Sequence, residues 1–251
     1  TKEMKKKHTV LAPQMSPLHF DLLKEAFISE GYRLNVLPIQ TPSTVETGLK
    51  YVHNDSCYPS ILIVGQIIEA LRSGEYDTDN VSVIITQSGG GCRQSNYYAL
   101  IRKALCEAGF SHVPIISLST LKTDTQPGFS FTLPLARKCL TALVYGDLLV
   151  RLILQTRPHE RTKGSARSLY ESMLPSLYEN IRSCSFSHFR ENIRSIVRAF
   201  ENIRVFDIPK PKVGIVGEIF AKYNPLSNNN LTEFLEKEGA EVHLPDLSDF
   251  F

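Results

Sequence analysis

Residues 81–110, VSVIITQSGGGCRQSNYYALIRKALCEAGF, constrain the fold more than any other part of the chain. The first six residues are β-branched except at Ser82, which predicts a buried parallel strand. Residues 88–92 predict a tight glycine turn, and apolar residues at helical spacing predict a helix over 94–108. A strand, a turn and a helix in this order place the turn at the carboxyl edge of a sheet, where open α/β folds bind ligands.

Two cysteines are predicted to lie at this edge. Cys92 closes the glycine turn, at a helix start where free amide groups and the helix dipole favour a thiolate. Cys57 follows the cap-type residues NDS and precedes a helix predicted over 59–71. That helix returns the chain to the strand at Val81, so its amino end lies at the same carboxyl edge. From position alone, Cys57 and Cys92 could equally be functional thiols or ordinary loop residues.

The other three cysteines, Cys106, Cys139 and Cys184, fall on or near apolar stripes of predicted helices. We expect them to be core residues, because cysteine is among the most buried residue types. Five cysteines in 251 residues, an odd number, also argue against a disulfide framework. The 35-residue spacing between Cys57 and Cys92 is no local zinc or ferredoxin signature.

The glycine turn is a second candidate site. The backbone amides of Ser88, Gly89, Gly90 and Gly91 could cradle a phosphate or cofactor at the amino end of the helix. The stretch lacks the third glycine of GxGxxG and the GK[ST] of a P-loop, so a plain turn is the alternative. No catalytic residue is assigned, because no Ser-His-Asp or Cys-His arrangement follows from order alone.

The pattern predicts an α/β protein in three parts. Residues 1–122 form a first α/β domain, a Rossmann-like or flavodoxin-like parallel sheet unit that carries both candidate cysteines. Residues 123–209 contain only helical periodicity and form a helical segment. Residues 210–251 begin a second α/β unit with two strands, too few to bury both faces of a parallel sheet. We therefore expect this unit either to pair with the first sheet or to be truncated.

Composition excludes two classes of partner. A formal net charge of +2 from 28 basic and 26 acidic residues gives no broad basic surface, which argues against nucleic acid. No apolar run approaches the roughly 20 residues that a membrane span requires. No secretory signal pattern opens the chain. We expect a cytoplasmic protein, with a homo-oligomer left open.

Four stretches resemble the 2-hydroxyacyl-CoA dehydratase superfamily, and in particular the dehydratase-like domain of the large CoA-substrate-specific enzyme activase proteins. They are spread along the chain between residues 54 and 242: NDSCYPSILIVGQ at 54–66, SGGGCRQSNY at 88–97, QPGFSFTLPLARKCLTALVYGDLL at 126–149 and KVGIVGEIFAKYNPLSNNNLTEFLEKEGAEV at 212–242. The resemblance implies a 4Fe-4S cubane cluster held by loop cysteines at the sheet edge. Cys57 and Cys92 match its cluster-ligand positions.

The resemblance also implies a function and its partners. In this family an ATP-dependent activator, on the same or a separate chain, delivers a low-potential electron to the cluster, which passes it to an acyl-CoA thioester. The expected activity is that of a dehydratase-like lyase or an activase of anaerobic metabolism. The family takes a third cysteine from a later domain, whereas this chain has no cysteine after Phe206. The cluster is therefore expected to be incomplete or absent here and the fragment alone to be inactive. The alternative is a non-catalytic scaffold or interaction domain of a larger protein.

Overall fold

The computed structural model describes residues 1–88, 91–119 and 128–250, and within them the fold is mixed α/β. In chain order the helices and strands are α1 (Lys2–Lys7), β1 (Thr9–Ala12), α2 (Pro17–Ser29), β2 (Arg33–Val36), α3 (Pro42–Leu49), α4 (Tyr58–Arg72), β3 (Val81–Gln87), α5 (Tyr97–Glu107), β4 (Ile115–Ser119), α6 (Leu133–Thr156), α7 (Ser165–Ser183), α8 (Phe186–Glu201), β5 (Lys212–Gly214), α9 (Ile219–Tyr223), α10 (Leu231–Lys237) and β6 (Glu241–His243).

The chain divides into two compact units. We call Thr1–Met15 with Glu30–Phe131 the sheet unit, and Ser16–Ser29 with Thr132–Phe251 the helical unit. Helix α2, although it directly follows β1, therefore belongs to the helical unit.

A four-stranded parallel sheet in the order β2-β1-β3-β4 forms the centre of the sheet unit. The predicted central strand is confirmed, because β3 pairs in parallel with β1 on one side and with β4 on the other. Its first five residues are all buried, as a strand covered on both faces requires. The predicted Rossmann-like or flavodoxin-like class is confirmed. In such sheets ligands bind at the carboxyl ends where the strand order reverses, which here is between β1 and β3.

Helix α4 is buried over most of its surface because α3 crosses it at backbone contact. A Cβ atom on Gly65 would lie 2.0 Å from the carbonyl oxygen of Thr44, and one on Gly48 would lie 2.1 Å from that of Ile61. Only glycine permits so close an approach from both helices. The crossing fixes α4, and with it the residue at its amino end, Cys57.

The helical unit confirms the predicted all-helical segment. Between Thr132 and Phe206 the chain forms α6, α7 and α8, a short 3₁₀ turn at Arg157–His159 and one isolated antiparallel bridge between Glu160 and Val205. The two strands that follow, β5 and β6, form a parallel pair of their own. Among the described residues they join no strand of the larger sheet.

Helix α6 corrects the expectation that no stretch is long and apolar enough to cross a membrane. Residues Leu133–His159 meet that criterion by length and composition, because they contain an 18-residue window with a mean hydropathy of 1.4. The helix packs against α2, α7 and α8. It also carries a buried, hydrogen-bonded carboxylate, that of Asp147. We therefore interpret α6 as a core helix of a soluble protein.

Candidate functional site

Cys57 is the residue from which α4 begins. Its backbone is extended (φ −60°, ψ 137°), and its carbonyl oxygen accepts hydrogen bonds from the amide and the hydroxyl of Ser60. The side chain makes no capping bond, so its sulfur is available for other contacts. It lies 3.6 Å from the hydroxyl oxygen of Tyr97 and is half-buried.

Cys92 also begins a helical segment, the one that follows strand β3. It caps a 3₁₀ turn, Arg93–Asn96, and its exposed sulfur accepts a hydrogen bond from the amide of Gln94 at 3.5 Å. The predicted helix over 94–108 therefore begins later, at Tyr97. The reason is local: bonds between residues three apart, such as Ser95 N–H to the Cys92 carbonyl, tighten the first turn.

Tyr97 brings the two cysteine segments to one edge of the sheet. It is 7% exposed and starts α5, after the carboxyl end of β3. Because Cys57 contacts Tyr97, the amino end of α4 lies at that same edge. Two side-chain bonds hold the intervening turn against β3, from Gln87 to the Ser95 carbonyl at 2.9 Å and from Gln94 to Thr86 at 3.1 Å.

Of the glycine turn, the structure describes Ser88 and Gly91, and Gly89 and Gly90 lie outside the described residues. The Ser88 hydroxyl oxygen is buried and has no hydrogen-bond partner within the described part of the chain. Burying an unpaired hydroxyl costs free energy, so this atom is suited to a bound group. A Cβ on Gly91 would meet no described atom within 4 Å.

Cys106 corrects the expectation that it is a core residue. It is exposed on α5, whose buried residues are Tyr97, Ile101, Ala104 and Leu105. Five residues separate Cys106 from Ile101, which places them on opposite sides of a helix. Cys139 and Cys184 are half-buried, and none of the five cysteines, all of them among the described residues, forms a disulfide.

A buried glutamine cluster at the ends of β1 and β2 was not foreseen from sequence. The Gln66 side-chain oxygen accepts from the Gln14 amide at 2.9 Å and from the Gln40 side chain at 3.1 Å. The Gln66 nitrogen donates to the Pro38 carbonyl at 2.5 Å. The signal in the sequence was Gln66 itself, a polar residue inside an apolar helix. Its bonds satisfy loop backbone groups that the fold buries.

A second unforeseen cluster, in the helical unit, joins Ser16, His19 and Asp147. His19 is fully buried, its Nε2 atom lies 2.9 Å from Asp147 Oδ1 and its Nδ1 atom 2.8 Å from the Ser16 hydroxyl. The members match a Ser-His-Asp set, but Ser16 is only 3% exposed, so no substrate can reach it. We assign the cluster a structural role.

Hydrogen bonds govern the charge of Asp147. Burial raises the pKa of this carboxyl group, but bonds from His19 and from the amides of Leu247 and Ser248 outweigh burial and hold its pKa below the usual value. A carboxylate with these donors remains ionised at neutral pH.

Within the described residues no group of three or more His, Cys, Asp or Glu side chains could hold a metal ion. No protein-family model, curated protein or solved structure matches this chain.

Proposed function

We propose that this chain is the cluster-binding part of an iron–sulfur protein of the 2-hydroxyacyl-CoA dehydratase or CoA-enzyme activase type. The observation that supports the proposal is the position of Cys57 and Cys92. Each begins a helical segment, and the Cys57–Tyr97 contact relates both segments to the carboxyl end of β3, the ligand-binding edge of a parallel sheet.

The residues present fit part of a cubane site. The sulfurs of Cys57 and Cys92 each have a hydrogen-bond donor in reach, the hydroxyl of Tyr97 and the amide of Gln94. Hydrogen bonds to cluster sulfurs tune such centres. A four-iron cluster requires about four ligands. Two would come from this pair, and the other two from a further segment, a partner or an exogenous ligand.

A bound cluster would supply one-electron chemistry at low potential. The chain's own residues would hold it: Cys57 and Cys92 as thiolate ligands, Ser88 and the glycine turn 88–91 as the surface beside it. Their contribution is positioning and electronic tuning. We further propose an acyl-CoA thioester as substrate, an ATP-dependent activator module as the electron source and the cytoplasm as the location.

The test is the iron content of the full-length protein prepared without oxygen. We expect four-iron absorption in the unaltered protein and its loss in Cys57→Ser and in Cys92→Ser. Cys106→Ser is the matched control, because this exposed thiol lies on α5 away from the edge, and it should retain the iron. Equal iron content in all four proteins would refute the ligand assignment.

A second candidate function is a non-catalytic scaffold domain. The observation that favours it is that no third ligand joins Cys57 and Cys92 among the described residues. Under this alternative the anaerobic full-length protein contains no iron, and both serine variants leave its partners unchanged in co-purification.

A further inference from the structure

A groove in the helical unit lies along α7 and α8, remote in sequence from both cysteines. Its volume is about 1100 Å³, slightly above the usual range of about 300–1,000 Å³ for small-molecule sites. Almost all of the residues that line it are polar or charged, although apolar atoms form nearly half of the lining surface. A groove of this size and polarity suits a charged ligand of nucleotide size.

Three arginines, Arg190, Arg194 and Arg198, line the groove. They follow one another at four-residue intervals on α8, so they form a row with steps of about 6 Å. All three are exposed, and within the described part of the chain none forms an ion pair or a side-chain hydrogen bond. Other arginines of the same unit do: Arg167 pairs with Glu171, and Arg182 with Glu25. The row therefore has its donors available.

A buried hydroxyl links the two helices that line the groove. Tyr145 donates to the Asn180 side-chain oxygen at 2.6 Å and accepts from the Asn192 side chain at 3.2 Å. Burial raises the pKa of Tyr145 to about 12, so this hydroxyl keeps its proton at neutral pH. Asn180 and Asn192 both line the groove, on α7 and α8 respectively. These bonds fix the distance between α7 and α8, so the helix that carries the three arginines is held in place.

We propose that this groove binds a small ligand with two or more adjacent phosphate groups, of the nucleoside diphosphate class. The guanidinium fork matches the geometry of phosphate oxygens and can bind them through two parallel hydrogen bonds. Neighbouring arginines of the row can each engage one phosphate of a diphosphate. Two carboxylates, Glu179 and Glu191, also line the groove and weaken its attraction for anions. This proposal is independent of any cluster at Cys57 and Cys92.

The experiment is calorimetric titration of the full chain with ADP, pyrophosphate and adenosine. ADP and pyrophosphate should bind, more weakly as salt increases, and adenosine should not. Arg194→Gln should weaken both phosphate ligands about tenfold or more, the usual effect of losing a charged hydrogen bond. Glu191→Gln should tighten them, because it removes a negative charge from the groove.

Arg167→Gln is the matched control, since it removes the same charge from an exposed arginine of α7 that does not line the groove. It should leave both affinities unchanged. Absence of binding by ADP and pyrophosphate at millimolar concentration would overturn the proposal. Equal losses of phosphate affinity in Arg167→Gln and Arg194→Gln would also overturn it. So would weaker binding of ADP and pyrophosphate in Glu191→Gln, because the carboxylate would then contribute to binding, as in a cation site.

Discussion

The sulfur of Cys57 lies 3.6 Å from the hydroxyl oxygen of Tyr97, although 40 residues separate them in the chain. The contact joins the amino end of α4 to that of α5. It therefore relates both candidate cysteines to one edge of the sheet, whatever group the edge binds.

Tyr97→Phe tests this contact directly. The substitution keeps the buried ring and removes the hydroxyl, so we expect the free energy of unfolding to fall by about 1 kcal/mol or less. Cys57 should react faster with a maleimide, because the hydroxyl no longer covers its sulfur. The measurement is mass-spectrometric labelling of the native protein. The half-buried Cys139 and Cys184 serve as internal controls and should react at unchanged rates.

Most substitutions of buried groups lower the free energy of unfolding, whereas Ser88→Ala should not. The Ser88 hydroxyl oxygen is buried without a partner within the described chain, and such a group costs about 1–3 kcal/mol. Removing it should leave the free energy of unfolding unchanged or raise it, as measured by urea denaturation. If iron is bound, the same variant should retain less of it. A loss of stability above about 1 kcal/mol would show that the hydroxyl has a structural partner in the folded protein.

Gly146→Ala should destabilise the helical unit. A Cβ at this position would lie 2.3 Å from the Cδ2 atom of the fully buried His19 ring, which would have to move away from Asp147. Overpacking of this kind costs about 1–3 kcal/mol. Thermal unfolding should show a clear loss. Gly214→Ala is the matched control, because a Cβ there would meet no described atom within 4 Å, and its effect should stay within about 0.5 kcal/mol.

The stability that Asp147 provides should depend on pH with a definite sign. Its pKa is lower in the folded state, so the stabilisation is fully present above the unfolded value of about 3.9 and is lost as pH falls from there through the lower pKa of the folded state. Asp147→Asn should therefore be less stable than the unaltered protein at pH 7, and the two should converge below about pH 4. Urea unfolding at several pH values measures this. Asp207→Asn, a change at an exposed carboxylate, should show no such convergence because it starts with no difference.

Sequence periodicity was enough to predict those helices and strands whose formation depends on residues close together in the chain. The β-branched run from Val81 forms the central strand, because few other structures accommodate such a run. The helical periodicity predicted within residues 123–209 corresponds to the three long helices α6, α7 and α8. Of the four apolar residues whose spacing predicts the helix over 94–108, Tyr97, Ile101 and Leu105 are buried and Ala108 is partly exposed.

Interactions between residues far apart in the chain could not be predicted from the sequence. His19 meets Asp147 across 128 residues, and no local pattern indicates that pairing. The late start of α5 depends on hydrogen bonds to the sulfur and carbonyl of Cys92, which helical periodicity does not register. Chain direction predicts the position of Cys57, but no local pattern indicates that the hydroxyl of Tyr97 lies beside its sulfur.

The assignment of α2 to the helical unit affects how the protein must be made. The ribosome completes α2 by Ser29, whereas the first residue of α6, the helix against which it packs, follows about 100 residues later. At about 5–20 residues per second, this delay lasts about 5–20 s. During that time the apolar side chains of Leu22, Ala26 and Phe27, buried in the finished protein, lack their cover. Because the helical unit begins at Ser16 and the sheet unit ends at Phe131, the nascent chain cannot complete one unit before it starts the other. During synthesis the apolar face of α2 is therefore a site to which chaperones can bind.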